Sequence, residues 1–100
     1  KQAMKILFRN SIHNSDRSND CLIGEIGKKK VKFTYTVDNI GERCNIEVFD
    51  GNKFNSVLCM LDMGIIPDEF PFMLDANKRK EQADRIFKKS EIILTQLIIE

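Results

Sequence analysis

The sequence predicts an α+β fold, a small antiparallel β-meander of three to five strands with a long C-terminal helix packed on one face. Three observations carry this expectation. Residues 30–37 alternate with period two, a helical period of 3.6 takes over after Asp75, and turn-forming residues separate the apolar runs between. In 30–37, Val31, Phe33, Tyr35 and Val37 share one side, and Lys30, Lys32, Thr34 and Thr36 share the other. That is the pattern of a strand with one face on a core and one in water.

The elements follow in order. Residues 5–12 carry Ile6, Leu7, Phe8 and Ile12, a run short enough for either a strand or two helical turns, and a strand is expected. Residues 14–20 are entirely polar turn formers and read as an exposed, flexible loop. Residues 21–26 are an apolar run with Gly24 inside it, and Gly27-Lys28 turns the chain into the strand over 30–37. After a turn over 38–42, Cys44, Ile46 and Val48 alternate with Asn45 and Glu47 as the next strand of the meander. Asp50-Gly51 is a hairpin signal, which favours a strand over 54–61. A helix competes there, because Phe54, Val57, Leu58 and Leu61 also fall at helical spacing ahead of a capping Gly64. Pro67 and Pro71 make 65–74 an extended segment that lays Phe70 and Phe72 on the core. From Asp75 on, Ala83, Ile86, Phe87, Leu94, Leu97 and Ile98 form one stripe, with Arg79, Lys80, Glu81, Asp84, Lys88 and Glu91 read as lying away from it. Asp75 or Asn77 is positioned to cap the first turn.

One hundred residues, 42% hydrophobic and 31% charged, describe a single packed domain. The net charge of +1 supplies no global pull toward nucleic acid or acidic membranes, so charge-driven binding has to be local. Cys21, Cys44 and Cys59 are odd in number and widely spaced, which predicts reduced thiols. The longest apolar stretch, 92–99, is interrupted by Thr95 and Gln96 and falls short of the roughly 20 residues a membrane span needs. Residues 1–9 hold no basic-then-apolar leader. The expectation is a cytoplasmic protein without a membrane partner.

Candidate chemistry is sparse. His13 is the single histidine, and with Asp16 and Cys21 it would make a Cys-His-Asp set, but beside a flexible loop it reads as a solvated residue. Asp68-Glu69 reads as a solvated turn. His13, Cys21, Cys44 and Cys59 contain no close pair of the kind a structural zinc uses, so no metal or other cofactor is expected. Residues 24–28, Gly-Glu-Ile-Gly-Lys, have the wrong glycine spacing for a phosphate loop and fit a hairpin turn.

Two surfaces remain. Lys28, Lys29, Lys30 and Lys32 on one hairpin, with Lys78, Arg79 and Lys80 at the helix start, would together grip phosphates, although alternation turns Phe33 and Tyr35 away from these lysines. At the helix end, Ile92, Ile93, Leu94, Leu97, Ile98 and Ile99 cover more than one face, and the surplus would be an interface. The functional expectation is a non-enzymatic protein-binding or regulatory module, its interface on Ile92, Leu94, Ile98 and Ile99 and its partner another protein or a second copy. A nucleic-acid-binding module using the lysine hairpin is the alternative.

Overall fold

A computed structural model of the chain describes residues 4–65 and 75–99, with side chains through residue 97. Five strands, β1 (Lys5–His13), β2 (Ser18–Ile26), β3 (Lys29–Val37), β4 (Glu42–Phe49) and β5 (Phe54–Cys59), precede one long helix, α1 (Ala76–Ile99). Each strand pairs antiparallel with the next, in the order β1-β2-β3-β4-β5. The helix lies over β2, with β1 and β3 to either side. The expected α+β meander is the fold, at the upper limit of its strand count.

Turn chemistry explains the connections. Gly27, at φ 63°, makes the tight β2–β3 turn. Asp38 and Asp50 each fold a side-chain oxygen back onto backbone amides of their own loops, Ile40 and Gly41 for the first and Asn52 and Lys53 for the second. The Asp50-Gly51 hairpin signal therefore leads into a strand, not a helix. That strand is short, ending at Cys59, and Gly64 (φ 73°) caps a single 3-10 turn, Leu61–Met63, in place of an α-helix. Asp75 Oδ1 accepts from the Lys78 amide at 2.8 Å, closing the first turn of α1. The predicted extended segment lies, beyond Ile65, outside the described residues.

The register gives the sheet two distinct ends. Ser18 pairs with Val37 and Val37 with Glu42 at the upper end, while Ile26 pairs with Lys29 and Phe49 with Phe54 at the lower end. The helix runs from upper to lower: Arg79 meets Ser18, and Glu91 accepts from the Met4 amide. One sheet face, carrying Leu22, Ile26, Val31, Phe33, Tyr35, Val37, Cys44 and Ile46, packs against Ala83, Ile86, Phe87 and Leu94. Gly24 belongs to that face because a Cβ there would approach the Met4 side chain to 2.8 Å. Phe33 stacks on Phe87 with centroids 5.6 Å apart.

The region read as an exposed loop is shorter than expected. Only residues 14–17 turn, and Ser18, Asn19 and Asp20 begin β2 with Ser18 and Asp20 buried. Period-two alternation continues back from Leu22 through these polar residues, and what places them inside is pairing with polar groups on neighbouring elements.

Candidate functional site

At the upper end, the helix and sheet meet through a buried polar network. Asp20 is 0% exposed, and its carboxylate accepts from Arg9 Nε at 3.1 Å and Nη2 at 2.9 Å, and from Ser11 Oγ at 2.8 Å. The two Arg9 bonds form a fork, the geometry in which guanidinium and carboxylate match best. Arg9 also donates to Asp84 at 2.6 Å and lies 5.3 Å from the centre of the Phe87 ring, so it ties β1 and β2 to α1. His13 Nδ1 is 2.8 Å from Ser18 Oγ, and Nε2 is 3.3 Å from Asp20. Arg79, also 0% exposed, donates to Ser18 Oγ at 2.7 Å and to the Asn14 carbonyl. Beside it, Tyr35 Oη donates to Glu42 at 2.5 Å. Among the described residues, no buried side-chain nitrogen or oxygen lacks a partner.

Electrostatics follow from this packing. Burial pushes the Asp20 carboxyl up, but the bonds from Arg9, Ser11 and His13 with the Arg9 charge outweigh it and hold the group below the ordinary carboxylate value. The bond to Asp20 raises Arg9 further above its usual range against an opposing effect of burial. Burial and then the bond to Glu42 push the Tyr35 hydroxyl up, and burial pushes the Cys44 thiol up to about 12.

These positions correct two readings of the sequence. His13 is not a solvated loop residue: its side chain is 8% exposed, and it faces Ser18 and Asp20, not Asp16 and Cys21. Arg79 is not part of a solvated basic face, because it sits four residues before Ala83 and shares the buried stripe. The same two periodicities, 3.6 back from Ala83 and 2 back from Leu22, would have found Arg79, Asp20 and Ser18.

Ser18, His13 and Asp20 have the residue types of a nucleophilic triad, but their geometry serves packing. Ser18 is 1% exposed, and its hydroxyl oxygen already receives the Arg79 Nε–H, so a substrate has no open approach to it in this structure. A cleft of about 320 Å³ between β1 and the helix is lined by Ile6, Arg9, Asp84, Phe87 and Lys88 among others, and includes neither Ser18 nor His13. The four metal-ligand candidates are scattered: Cys44 is on the helix face of the sheet, while Cys21 alternates onto the opposite face. Among the described residues, no group of three His, Cys, Asp or Glu is arranged to hold a metal ion.

The two basic clusters are not brought together. Lys28, Lys29 and Lys30 stand at the lower end of the sheet, whereas Lys78 and Lys80 flank Arg79 at the upper end, about 26 Å away along a nine-residue strand. Lys32 and Lys30 do share the open face with aromatic rings, those of Phe49 and Phe54, with Lys32 Nζ 5.8 Å from the centre of the Phe54 ring. Register sets Lys30 opposite Glu25 and Lys32 opposite Glu47, so the sheet supplies each with a facing carboxylate.

The helix-end patch is also divided. Leu94, predicted at an interface, is a core residue at 1% exposed, because it lies two turns beyond Ile86 and Phe87 on the same stripe. Ile92 is 63% exposed on the far side of the helix, between Lys88, Lys89 and Gln96 in helical spacing. The side chains of Ile98 and Ile99 lie outside the described residues.

Exposed apolar area concentrates instead on β1, which the sequence marked only as a strand. Ile6, Leu7, Phe8 and Ile12 are 56, 45, 52 and 43% exposed on a nine-residue strand at the edge of the sheet. The β1–β2 register shifts between Ile6 and Phe8, and the regular ladder runs from Phe8 to His13. No described helix is long and apolar enough to cross a membrane. No protein-family model matches the chain, and no curated protein or solved structure is significantly similar to it.

Proposed function

We propose that this chain is a small non-enzymatic protein-binding module acting through protein–protein contacts, and that β1 is its contact edge. The observation that carries this reading is the long, apolar edge strand, which among the described residues pairs on one side alone. An edge exposes a row of backbone donors and acceptors, and proteins that must avoid pairing blunt it with proline, inward charges or short length. β1 has nine residues and no proline, and the charge of its inward basic residue, Arg9, is met by Asp20 and Asp84. The opposite edge, β5, is shorter, at six residues, and both edge pairings carry one register shift. An added strand would take main-chain hydrogen bonds from β1 and side-chain contacts from Phe8 and Ile12.

The nucleic-acid alternative draws on Lys28, Lys29, Lys30 and Lys32 beside Phe49 and Phe54. It is the weaker reading because Glu25, Glu47 and Asp50 interleave with those lysines. Selection of displayed random peptides on the folded protein tests the leading proposal. Binders with apolar residues at every second position, which protect the Arg9, Ser11 and His13 amides from exchange and are lost on F8D/I12D, are expected. Binders that protect another surface, or a selection that enriches nothing, would remove β1 as a contact edge.

A further inference from the structure

We infer that the strand added to β1 is β1 of a second copy, joined antiparallel about a two-fold axis at Asn10. This rests on the reading of β1 as a contact edge and adds the identity of the occupant.

Backbone parity comes first. The Asn14 N–H donates to the Arg17 carbonyl across the β1–β2 turn, so Asn14 directs its amide toward β2. Alternation along an antiparallel strand then turns the amide and carbonyl groups of Ile12, Asn10 and Phe8 toward β2, and those of His13, Ser11 and Arg9 outward. Two copies can exchange hydrogen bonds only through these outward residues. Three symmetric registers satisfy that condition near the middle of the strand, centred on Arg9, Asn10 or Ser11.

Side-chain chemistry selects one of them. Centring on Arg9 sets two guanidinium groups directly opposite each other and Phe8 against Asn10. Centring on Ser11 sets Asn10 against Ile12. Centring on Asn10 sets Phe8 against Ile12 of the other copy, twice, on the open face, and Arg9 against Ser11, twice, on the helix face. Apolar meets apolar and polar meets polar on both faces, the match that stabilises cross-strand pairs. Arg9 already uses Ser11 Oγ as an acceptor within its own strand, at 3.2 Å. This register also spans the regular part of β1, between the irregularity at Leu7 and the turn after His13.

The arrangement is sterically open. Each helix lies over β2, so the two helices would stand three strand spacings apart, about 14 Å. Packed helices approach to roughly 8–10 Å, so the two described helices do not collide, and a continuous ten-stranded sheet results. The contact is at the small end of specific interfaces, so a reversible dimer with a roughly micromolar dissociation constant is expected.

Crosslinking reads the register directly. Asn10 and its symmetry mate form a non-hydrogen-bonded pair with Cα atoms about 4.5 Å apart, within disulfide reach. Because Cys21 lies across from Asn10 on β2, the variant is made as N10C in a C21S background. The expected results are a concentration-dependent dimer for the unmodified protein by sedimentation velocity, a covalent dimer of N10C/C21S on mild oxidation, and none for C21S alone. N10K, which sets two lysines opposite each other at an exposed position, should keep its circular dichroism and melting temperature while self-association weakens several-fold. A monomer at all concentrations with no N10C crosslink overturns the second-copy assignment. If peptides still bind β1 in that case, the contact-edge reading stands without it, and if they do not, both fall. A dimer that survives N10K and fails to crosslink also overturns the assignment, because another surface then makes it.

Discussion

Under the first turns of α1 the sheet presents Ser18, Asp20, Tyr35 and Glu42; under the later turns it presents Leu22, Ile26, Val31, Phe33 and Ile46. The upper half is held by directed bonds among charged and hydroxyl groups, and the lower half by close packing of aliphatic and aromatic side chains. Both halves have a buried centre, although Arg9 and Asp84 leave the rim of the upper one partly exposed, and they should fail differently. An apolar contact loses energy in proportion to the atoms removed, whereas a buried polar group that loses its partner keeps its full desolvation cost. The upper half therefore specifies how the helix enters, where β1 ends and where β2 begins, and the lower half supplies graded cohesion.

The largest expected effect comes from breaking the upper half at its hub. Asp20→Asn removes the charge that Arg9 grips, and because Arg9 keeps Asp84 it should cost about 1.5 to 3 kcal/mol, a sizeable share of the roughly 5 to 15 kcal/mol that holds such a domain together. Urea unfolding at neutral pH measures it. The same variant carries a pH signature. Asp20 titrates below its ordinary value of 3.8 in the folded protein, so its contribution is fully present above that value and is lost as pH falls through the lower folded value. The unmodified protein should lose stability below about pH 4, and Asp20→Asn should flatten that part of the acid limb. An acid limb of unchanged depth would mean that Asp20 is not the hub.

A smaller effect is expected from the lower half. Ile86→Val removes one methylene from a fully buried site and should cost about 0.5 to 1.5 kcal/mol, while Ile92→Val on the solvent side of the same helix should stay within about 0.5 kcal/mol. Equal costs would place Ile92 under cover that the described residues do not provide.

The two halves also differ in how readily the sequence discloses them. The lower half was legible, because apolar letters at periods of 2 and 3.6 have one stable placement, and β3, β4 and most of the helical stripe follow from that. β5 was legible through Asp50-Gly51, although helical spacing competed. The upper half was not, because a buried, paired Asp20 or Arg79 has the same letter as a solvated one, and only the juxtaposition of β1, β2 and α1 supplies its partners. Phe8 and Ile12 posed a different problem. Their apolarity was visible, but that β1 would be an edge depends on strand order, which one sequence does not state.

The smallest perturbation tests whether the upper half is as dry as its geometry requires. Cys44 pairs with Tyr35 in the register and lies near Glu42, on the helix face, whereas Cys21 and Cys59 are half-buried. Burial holds the Cys44 thiol near 12, and the thiolate is the reacting species, so at about pH 8 this group should be inert for two reasons, access and ionisation. A thiol reagent should label Cys21 and Cys59 quickly and reach Cys44 only after unfolding, with mass spectrometry assigning each site. If Cys44 reacts as fast as Cys21, water reaches the polar end of the interface, and the directed bonds there would be worth no more than surface bonds. If it stays silent in the native protein but is labelled quickly in Asp20→Asn, the network is what excludes water from that end.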